Sequence, residues 1–305
     1  MAPGWGWAEG GADAFKLREE VAMIRRQWDA MFAVVAVSSL FWAASTACAG
    51  FEVGVKGGYD SNLSRSIDDG EGSGFVSAYG GYWKGHSGET RLAWTMGFIV
   101  EGAVYPSLSD VNYAAATISP GIAYILRPGW TVALTPFLQG KTVQDSEQSA
   151  WSFGGRVDFS QKFRNSIYLG EYYVYTDSEA NEDVYSFTEN ALGLYLGICW
   201  TPKVFTEAGY EFARGDSFLS EHVSVLSAGG GGPGARKGRF SSAFGAEVFK
   251  ETVDTHAFSV SAGIDWTRSW YLTVNYTYRT WDGDSVSADG SSGYAGIGYR
   301  FGTPD

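Results

Sequence analysis

The sequence predicts an all-β protein, an up-and-down antiparallel β-barrel of about fourteen strands. Three observations predict it. The 305 residues include 41 glycines and 16% aromatic residues, a composition that suits many short strands joined by tight turns. Apolar and polar residues alternate with a period of two along most of the chain, as in a strand that has one apolar face. The connections between these segments alternate in length and in charge.

The first 49 residues are interpreted as an over-extended start followed by a signal peptide. Arg25 and Arg26 precede an apolar run from Met31 to Ala44, and Ala47-Cys48-Ala49 has the small-residue pattern of a cleavage site. A lipoprotein attachment site at Cys48 is the alternative. The run is too short for a stable transmembrane anchor. Residues 50–305 are therefore expected to form one domain, a transmembrane β-barrel.

Fourteen segments carry the alternation, each with one apolar face and one polar or glycine-rich face. In the last of them, for example, Ile297 and Tyr299 alternate with Gly298 and Arg300. The predicted strands cover 51–59, 74–83, 90–104, 111–126, 130–143, 150–161, 166–176, 184–200, 204–213, 221–228, 238–249, 256–266, 270–280 and 292–301.

Two kinds of connection join these strands. One set is short and basic: 84–91, 127–129, 162–165, 201–203, 229–238 and 267–269. The other set is mostly longer and acidic: 60–72, 105–110, 144–149, 177–183, 214–221, 250–255 and 281–290. Outer-membrane barrels have short periplasmic turns at one end and longer extracellular loops at the other. We therefore expect a bacterial outer-membrane protein with both termini in the periplasm.

Aromatic residues flank the short connections and predict a girdle at the periplasmic membrane boundary. They are Tyr82, Trp83, Trp130, Phe163, Tyr168, Trp200, Phe205, Trp266 and Trp270. The alternative is a soluble β-sandwich with these rings in its core. A sandwich would need Greek-key crossings, whereas consecutive short connections favour an up-and-down order.

The last strand, Gly293 to Phe301, also carries a resemblance. Gly296, Tyr299 and Phe301 resemble the C-terminal assembly signal of Gram-negative outer-membrane β-barrels. This resemblance implies that the barrel-assembly machinery reads the strand, and that the strand closes the barrel against the first strand.

A second resemblance lies after the first strand. The stretch from Tyr59 to Leu63, with Asp60-Ser61-Asn62 at its centre, looks like the first outer loop of barrels that follow tetratricopeptide repeats, such as the surface-lipoprotein assembly modifiers. The resemblance implies a barrel of similar size and strand number, and a role in handing lipoproteins to the cell surface. The present sequence departs from that pattern because its leader runs directly into the first strand.

The inward face is where function is expected. With the apolar residues facing lipid, charged and polar residues of both signs face the lumen. The candidates are Glu52, Lys56, Glu101, Lys141, Arg156, Asp158, Glu207, Glu211, Glu247, Asp265, Asn275 and Arg300. Barrels of about eight strands are filled by their own side chains, and those of sixteen or more enclose an aqueous channel. Fourteen strands are therefore compatible with a narrow pore or with a plugged pocket.

The sequence thus predicts a porin-like channel for passive passage of small solutes. Pairing of the inward charges, which would hold the wall together, is an alternative role for them. The first alternative function is export or display of a surface protein, and the second is an outer-membrane lipid-modifying enzyme.

Membrane lipid, lipopolysaccharide and the assembly machinery are the expected partners. The formal charge of −12 argues against nucleic acid.

Catalytic and metal motifs are weak in this sequence. His256 lies near Ser259, but residues three apart on a strand face opposite sides. His86 lies in a predicted short connection and His222 lies near an acidic loop, and residues in such places are expected to be solvated. The acidic run 68–71 lacks the ligand spacing of an EF-hand loop. We therefore expect no catalytic residues, no metal ligands and no cofactor.

Overall fold

The computed structural model describes residues 49–68, 70–87, 91–164, 166–221, 238–284 and 286–301. The predicted leader lies outside them. The described residues form one antiparallel sheet of thirteen strands. The strands are β1 (Ala49–Asp60), β2 (Ser73–Ser87), β3 (Leu92–Val104), β4 (Tyr113–Arg127), β5 (Trp130–Val143), β6 (Ala150–Arg164), β7 (Ile167–Ala180), β8 (Phe187–Thr201), β9 (Val204–Glu221), β10 (Arg239–Ser241), β11 (Ala246–Asp265), β12 (Trp270–Gly283) and β13 (Ser287–Phe301).

Twelve of these strands close into a barrel. Neighbours in sequence pair along the sheet, β1 pairs with β13, and β9 pairs directly with β11. The short strand β10 lies outside the ring and pairs with the first three residues of β11. The predictions of an all-β, antiparallel, up-and-down barrel and of closure by the last strand are confirmed.

The predicted number of fourteen strands is wrong. β9 continues through the predicted loop 214–221, and β11 runs through the predicted loop 250–255. The two strands pair from Val204–Ile264 to Glu221–Glu247 without a further barrel strand between them. The predicted strand 221–228 falls, beyond its first residue, outside the described residues.

The extra length of β9 and β11 has a polar outer face, which explains why it resembles loops in the sequence. Both strands extend past the ends of their other neighbours, β8 and β12. Arg214 and Asp254 approach to 3.6 Å just before these ends, and beyond them the Thr252 hydroxyl donates to the Asp216 carboxylate at 2.9 Å. Charged residues on the outer face remove the apolar half of the alternation that identifies a membrane strand.

The two ends of the barrel differ in their connections. The described termini lie together with the five short connections 88–91, 128–129, 165–166, 202–203 and 266–269, and we call this the turn end. The opposite end, the loop end, carries 61–72, 105–112, 144–149, 181–186, 242–245 and 284–286. The segment 229–238, predicted among the short turns, lies outside the described residues except for Gly238.

The outer face of the barrel is apolar. Many large hydrophobic side chains are exposed on it. Twelve of them, each 39–60% exposed, are Leu92, Trp94, Met96, Leu134, Leu138, Leu192, Leu194, Leu196, Phe258, Val260, Leu272 and Val274. An apolar surface of this extent is expected to be covered by lipid. Side chains on the opposite face contact one another across an intervening strand, as Tyr172 of β7 and Glu211 of β9 do, which marks the concave inner face.

The predicted aromatic girdle is only partly right. Trp83, Tyr168 and Phe205 occupy inner-face positions. The rings of Tyr168 and Phe205 lie against Gly197 and Gly263, where a Cβ atom would come within 1.9 and 2.3 Å of the ring. Glycine on the neighbouring strand therefore makes room for an inward aromatic ring. Among the described residues, no helix is long and apolar enough to cross a membrane.

Candidate functional site

The candidate site is the barrel interior. The strand register places the twelve charged or polar candidates at inner-face positions of β1, β3, β5, β6, β9, β11, β12 and β13. Eleven lie within the ring of twelve strands. Glu247 does not, because it pairs with Glu221 where β9 and β11 extend beyond their neighbours at the loop end.

One group of side chains joins the barrel seam near the turn end. The Arg300 guanidinium contacts the Glu52 carboxylate at 3.3 Å and the Asp265 carboxylate at 2.9 Å. It also lies 4.2 Å from the centre of the Tyr271 ring, and the Tyr271 hydroxyl donates to Glu52. Lys56 completes the group, 4.8 Å from the ring centres of both Tyr79 and Tyr294. These contacts link β1, β2, β11, β12 and β13.

A second group lies on the wall formed by β6 to β9. Arg156 forms an ion pair with Asp158 at 2.7 Å, and its guanidinium lies 3.9 Å from the centre of the Tyr172 ring. The Tyr172 hydroxyl donates to Glu211 at 2.8 Å. Arginine, carboxylate and tyrosine thus alternate along the wall, as they do at the seam.

The same wall carries a third group closer to the turn end. The Tyr168 hydroxyl donates to Glu207 at 3.0 Å. Tyr195 packs edge to face against Tyr168, with 6.1 Å between the ring centres. Neither Glu207 nor Glu211 forms an ion pair with a lysine or arginine of the described residues. This wall therefore has more negative than positive charge.

The remaining candidates have simpler surroundings. Lys141 lies 4.8 Å from the centre of the Tyr113 ring. Glu101 occupies the inner-face position next to Ala115, which itself pairs with Lys141. Asn275 accepts a hydrogen bond from the Thr277 hydroxyl at 3.1 Å.

The interior is accessible to water at the level of the arginine groups. The side chains of Arg156 and Arg300 point inward and are paired, yet 39% and 38% of their surface stays exposed. A filled barrel interior would bury such groups, as it does in barrels of about eight strands. The wall of the turn-end half therefore borders a water-filled space.

The connection between β1 and β2, residues 61–72, which we call loop 1, crosses the loop-end half of the barrel from β1 to β9. The Ile67 amide donates to the Ser220 carbonyl at 3.0 Å, and the Ser220 amide donates to the Arg65 carbonyl at 3.1 Å. Loop 1 thereby forms a single parallel β-bridge, between Ser66 and Ser220, with the edge of β9 beyond β8. Ile67 also packs on a buried cluster formed by Leu219, Phe249, Val253, Trp281 and Ala288.

Arg65 is the central side chain of loop 1. Its guanidinium lies 4.8 Å from the Phe218 ring centre and 5.5 Å from the Trp281 ring centre, and it donates to the Ser217 hydroxyl. Burial lowers the pKa of this guanidinium from its ordinary value, while the nearby Glu189 carboxylate acts in the opposite direction. Arginine keeps its proton even so. A positive charge with little exposure to solvent thus sits at the loop end.

Asn62 fixes the course of loop 1. Its side-chain nitrogen donates to the carbonyl oxygens of Ser66 at 3.0 Å and Asp289 at 2.8 Å, and its side-chain oxygen accepts from the Ser66 amide at 2.8 Å. Asn62 is the last residue of the Asp60-Ser61-Asn62 stretch noted in the sequence. That stretch therefore anchors loop 1 to β13.

Sequence reasoning missed the contribution of Arg65 and of the inward tyrosines. Arg65 is the one basic residue in the acidic segment 60–72, which could have identified it as a residue with a special partner. The tyrosines that bond to Glu52, Glu207 and Glu211 lie in the polar half of the strand alternation. The glycine against each ring lies on the neighbouring strand, so the pairing becomes visible only when the strand register is known.

The histidine of strand β11, His256, is not part of the candidate site. His256 lies on the outer face, where its Nδ1 atom hydrogen-bonds with the Tyr210 hydroxyl at 2.8 Å. Ser259 occupies an inner-face position opposite Thr277. His222 lies outside the described residues. In the described part of the chain, no three histidine, cysteine, aspartate or glutamate side chains come together as a metal site.

Comparison with known proteins identifies the fold. No family model matches the sequence, and no curated protein is found to match it. An outer-membrane channel from Pseudomonas putida F1 matches with a TM-score of 0.57 at 10% identity, over 86% of this chain and 98% of the channel. At this identity the likeness concerns the fold.

Two further solved structures match with lower TM-scores. The KdgM porin in complex with disordered oligogalacturonate has a TM-score of 0.44 and 6% identity, over 82% of this chain and 99% of the porin. The toluene transporter TodX of Pseudomonas putida has a TM-score of 0.41 and 11% identity, over 84% of this chain and 90% of the transporter. The fold of this chain is therefore a closed antiparallel β-barrel like that of the Pseudomonas putida F1 channel.

Proposed function

We propose that this barrel is a narrow channel for the passive passage of small solutes across the bacterial outer membrane. The observation that carries the proposal is the exposure of inward, paired arginines, 39% for Arg156 and 38% for Arg300. A water-filled space bordered by fixed charges of both signs is what a solute channel requires. The outer-membrane channel that shares this fold supports the same function.

In this proposal the narrowest part of the channel is the loop end. Loop 1 and the extended pair β9 and β11 bring Arg65, Trp281 and Leu219 together across the mouth, with Leu219 fully buried. The turn-end half is a wider vestibule walled by Tyr168, Tyr172 and the ion pairs. A solute that enters from the turn end would therefore meet aromatic rings and charges first, and a solute that enters from the loop end would meet loop 1 first.

We also propose how the barrel is oriented in the outer membrane and which molecules surround it. Short connections at one end and longer connections at the other match the periplasmic and extracellular ends of outer-membrane barrels, so we place both termini in the periplasm. Lipid and lipopolysaccharide then cover the apolar outer face. The barrel-assembly machinery would recognise Gly296, Tyr299 and Phe301; Tyr299 and Phe301 face outward in β13, with ring centres 4.5 Å apart.

A passive channel needs no catalytic residues, and we propose that this barrel has none. The position of His256 on the outer face, bonded to Tyr210 rather than to a serine, supports this view. A lipid-modifying enzyme would need a nucleophile and a base within hydrogen-bond reach of one another. His256→Ala is accordingly expected to leave channel behaviour unchanged.

Liposome swelling tests the proposed function. The protein, purified from membranes in detergent, is reconstituted into liposomes that are diluted into iso-osmotic solutions of sugars of increasing size. We expect swelling with pentoses and hexoses that declines with trisaccharides, because loop 1 narrows the mouth. Absence of swelling for every sugar, with barrel folding verified by heat-modifiable migration in gels, would refute a passive channel.

A further inference from the structure

Three tyrosines of the inner face share one arrangement. Each ring lies against a glycine of the next strand in the sheet, so closely that a Cβ atom there would overlap the ring. Each hydroxyl donates to a glutamate one strand further along. The sets are Tyr271 with Gly298 and Glu52, Tyr172 with Gly193 and Glu211, and Tyr168 with Gly197 and Glu207.

In two of the three sets, an arginine of the protein covers the ring. The guanidinium of Arg300 lies 4.2 Å from the Tyr271 ring centre, and that of Arg156 lies 3.9 Å from the Tyr172 ring centre. The aromatic face attracts a cation, and the hydrogen bond from the hydroxyl orients the ring toward a carboxylate. In the first set this arrangement holds a complete guanidinium site, because Arg300 covers the Tyr271 ring and also contacts Glu52. In the second set Arg156 covers the Tyr172 ring but pairs with Asp158 rather than with Glu211.

The third set is built in the same way but has no such arginine. Among the described residues, no lysine or arginine lies over the Tyr168 ring, and Glu207 forms no ion pair. A cavity of about 270 Å³ borders Tyr168 at the turn end. Its lining also includes Phe205, Asp265 and Lys203. Asp265 is the carboxylate in this lining and pairs with Arg300, whereas Glu207 adjoins the cavity through the hydrogen bond that it accepts from the Tyr168 hydroxyl. Space and an aromatic face thus lie beside a carboxylate that has no ion-pair partner among the described residues.

We propose that Tyr168 and Glu207 bind the guanidinium group of a small organic cation in the turn-end vestibule. The inference rests on the proposed function, because a solute reaches this wall through the lumen. Two donor groups of the guanidinium pair with the Glu207 carboxylate, and its plane stacks on the Tyr168 ring. Lys203, at the rim of the cavity, opposes the binding of a cation.

Direct binding tests the site. Isothermal titration calorimetry of the detergent-solubilised protein with methylguanidinium chloride is expected to give saturable binding. Glu207→Gln should weaken it about tenfold, the effect of losing one hydrogen bond to a charged group. Lys203→Gln should strengthen it. Glu211→Gln is the matched control, because the ring of its own tyrosine partner is covered by Arg156, and it should leave the affinity unchanged.

Two results would overturn the site: no saturable binding of methylguanidinium to the wild-type protein, or equal affinities of the wild type and Glu207→Gln. Because the titration needs no conduction, it separates this inference from the channel itself. Binding that depends on Glu207 in a barrel that is silent in bilayers would retain the site and contradict the channel. Conduction without methylguanidinium binding would support the channel and contradict the binding site.

Discussion

The side-chain nitrogen of Asn62 donates a hydrogen bond to the carbonyl oxygen of Asp289 at 2.8 Å, which ties loop 1 to strand β13. The same side chain closes the turn of loop 1 through the amide and carbonyl groups of Ser66. Asn62 is buried. One side chain thus controls both the shape of loop 1 and its position over the barrel interior.

Asn62→Ala is therefore expected to release loop 1. The substitution leaves the carbonyl oxygens of Ser66 and Asp289 without this donor, at a cost of roughly 1–3 kcal/mol for buried groups. We expect larger single-channel conductance and faster protease cleavage within 61–72. Asn112→Ala is the matched control. Asn112 lies in the connection 105–112 and bonds to the Tyr105 amide and to the Gln144 side chain. Conductance equal to the wild type in Asn62→Ala would contradict the role of loop 1.

Arg65→Gln tests the positive charge at the loop end. Removal of the charge between Phe218 and Trp281 should raise conductance and shift the reversal potential toward cation selectivity, because Arg65 repels cations at the narrowest point. The measurement is the reversal potential in a potassium chloride gradient. Arg239→Gln is the control, because Arg239 pairs with Glu147 and Glu182 outside the barrel ring. A similar shift in both variants would argue against Arg65 as the selective residue.

The ion pair between Arg156 and Asp158 gives a third prediction. Arg156→Gln leaves the Asp158 carboxylate uncompensated on the channel wall, so we expect increased cation selectivity. The double variant Arg156→Gln with Asp158→Asn should return close to wild-type selectivity. If the single variant has no effect on reversal potential, then this wall does not line the path of the ions.

The outer face provides a prediction on stability. Glu171 is exposed at an outer-face position between Phe159 and Leu194, and its carboxylate lies 3.4 Å from the Gln161 amide nitrogen. A carboxylate on the lipid-facing surface is unfavourable. Glu171→Leu should therefore stabilise the barrel in lipid by on the order of 1 kcal/mol in urea titrations.

Leu194→Glu, on the strand next to Glu171, is the reciprocal variant and should destabilise the barrel. If Glu171→Leu instead lowers stability, then Glu171 has a favourable partner on that surface. In either case, solute passage should not change, because the side chain faces away from the lumen.

The membrane-facing parts of the fold could be predicted from the sequence, because lipid imposes a strict alternation. β12 shows this: Leu272, Val274 and Tyr276 face outward and the residues between them face inward. The alternation is lost where β9 and β11 leave the apolar region, so residues 214–221 and 250–255 resemble loops. The number of strands was therefore overestimated.

The site could be predicted only as a set of inward positions. Periodicity identifies Glu52, Glu207 and Glu211 as inward-facing, but it does not show which residues they contact. The bond between Asn62 and Asp289 joins residues 227 positions apart, and such a pairing depends on closure of the barrel. Likewise, Gly193 and Gly197 have a recognisable role only when the register places them beneath tyrosine rings.

Single-channel recording of the purified wild-type protein in planar lipid bilayers is the decisive test of a passive solute channel. We expect discrete conductance steps, with larger steps when loop 1 is released by Asn62→Ala. A correctly folded barrel that stays silent as the wild type and as Asn62→Ala would contradict a solute channel and would favour export or display of a surface protein.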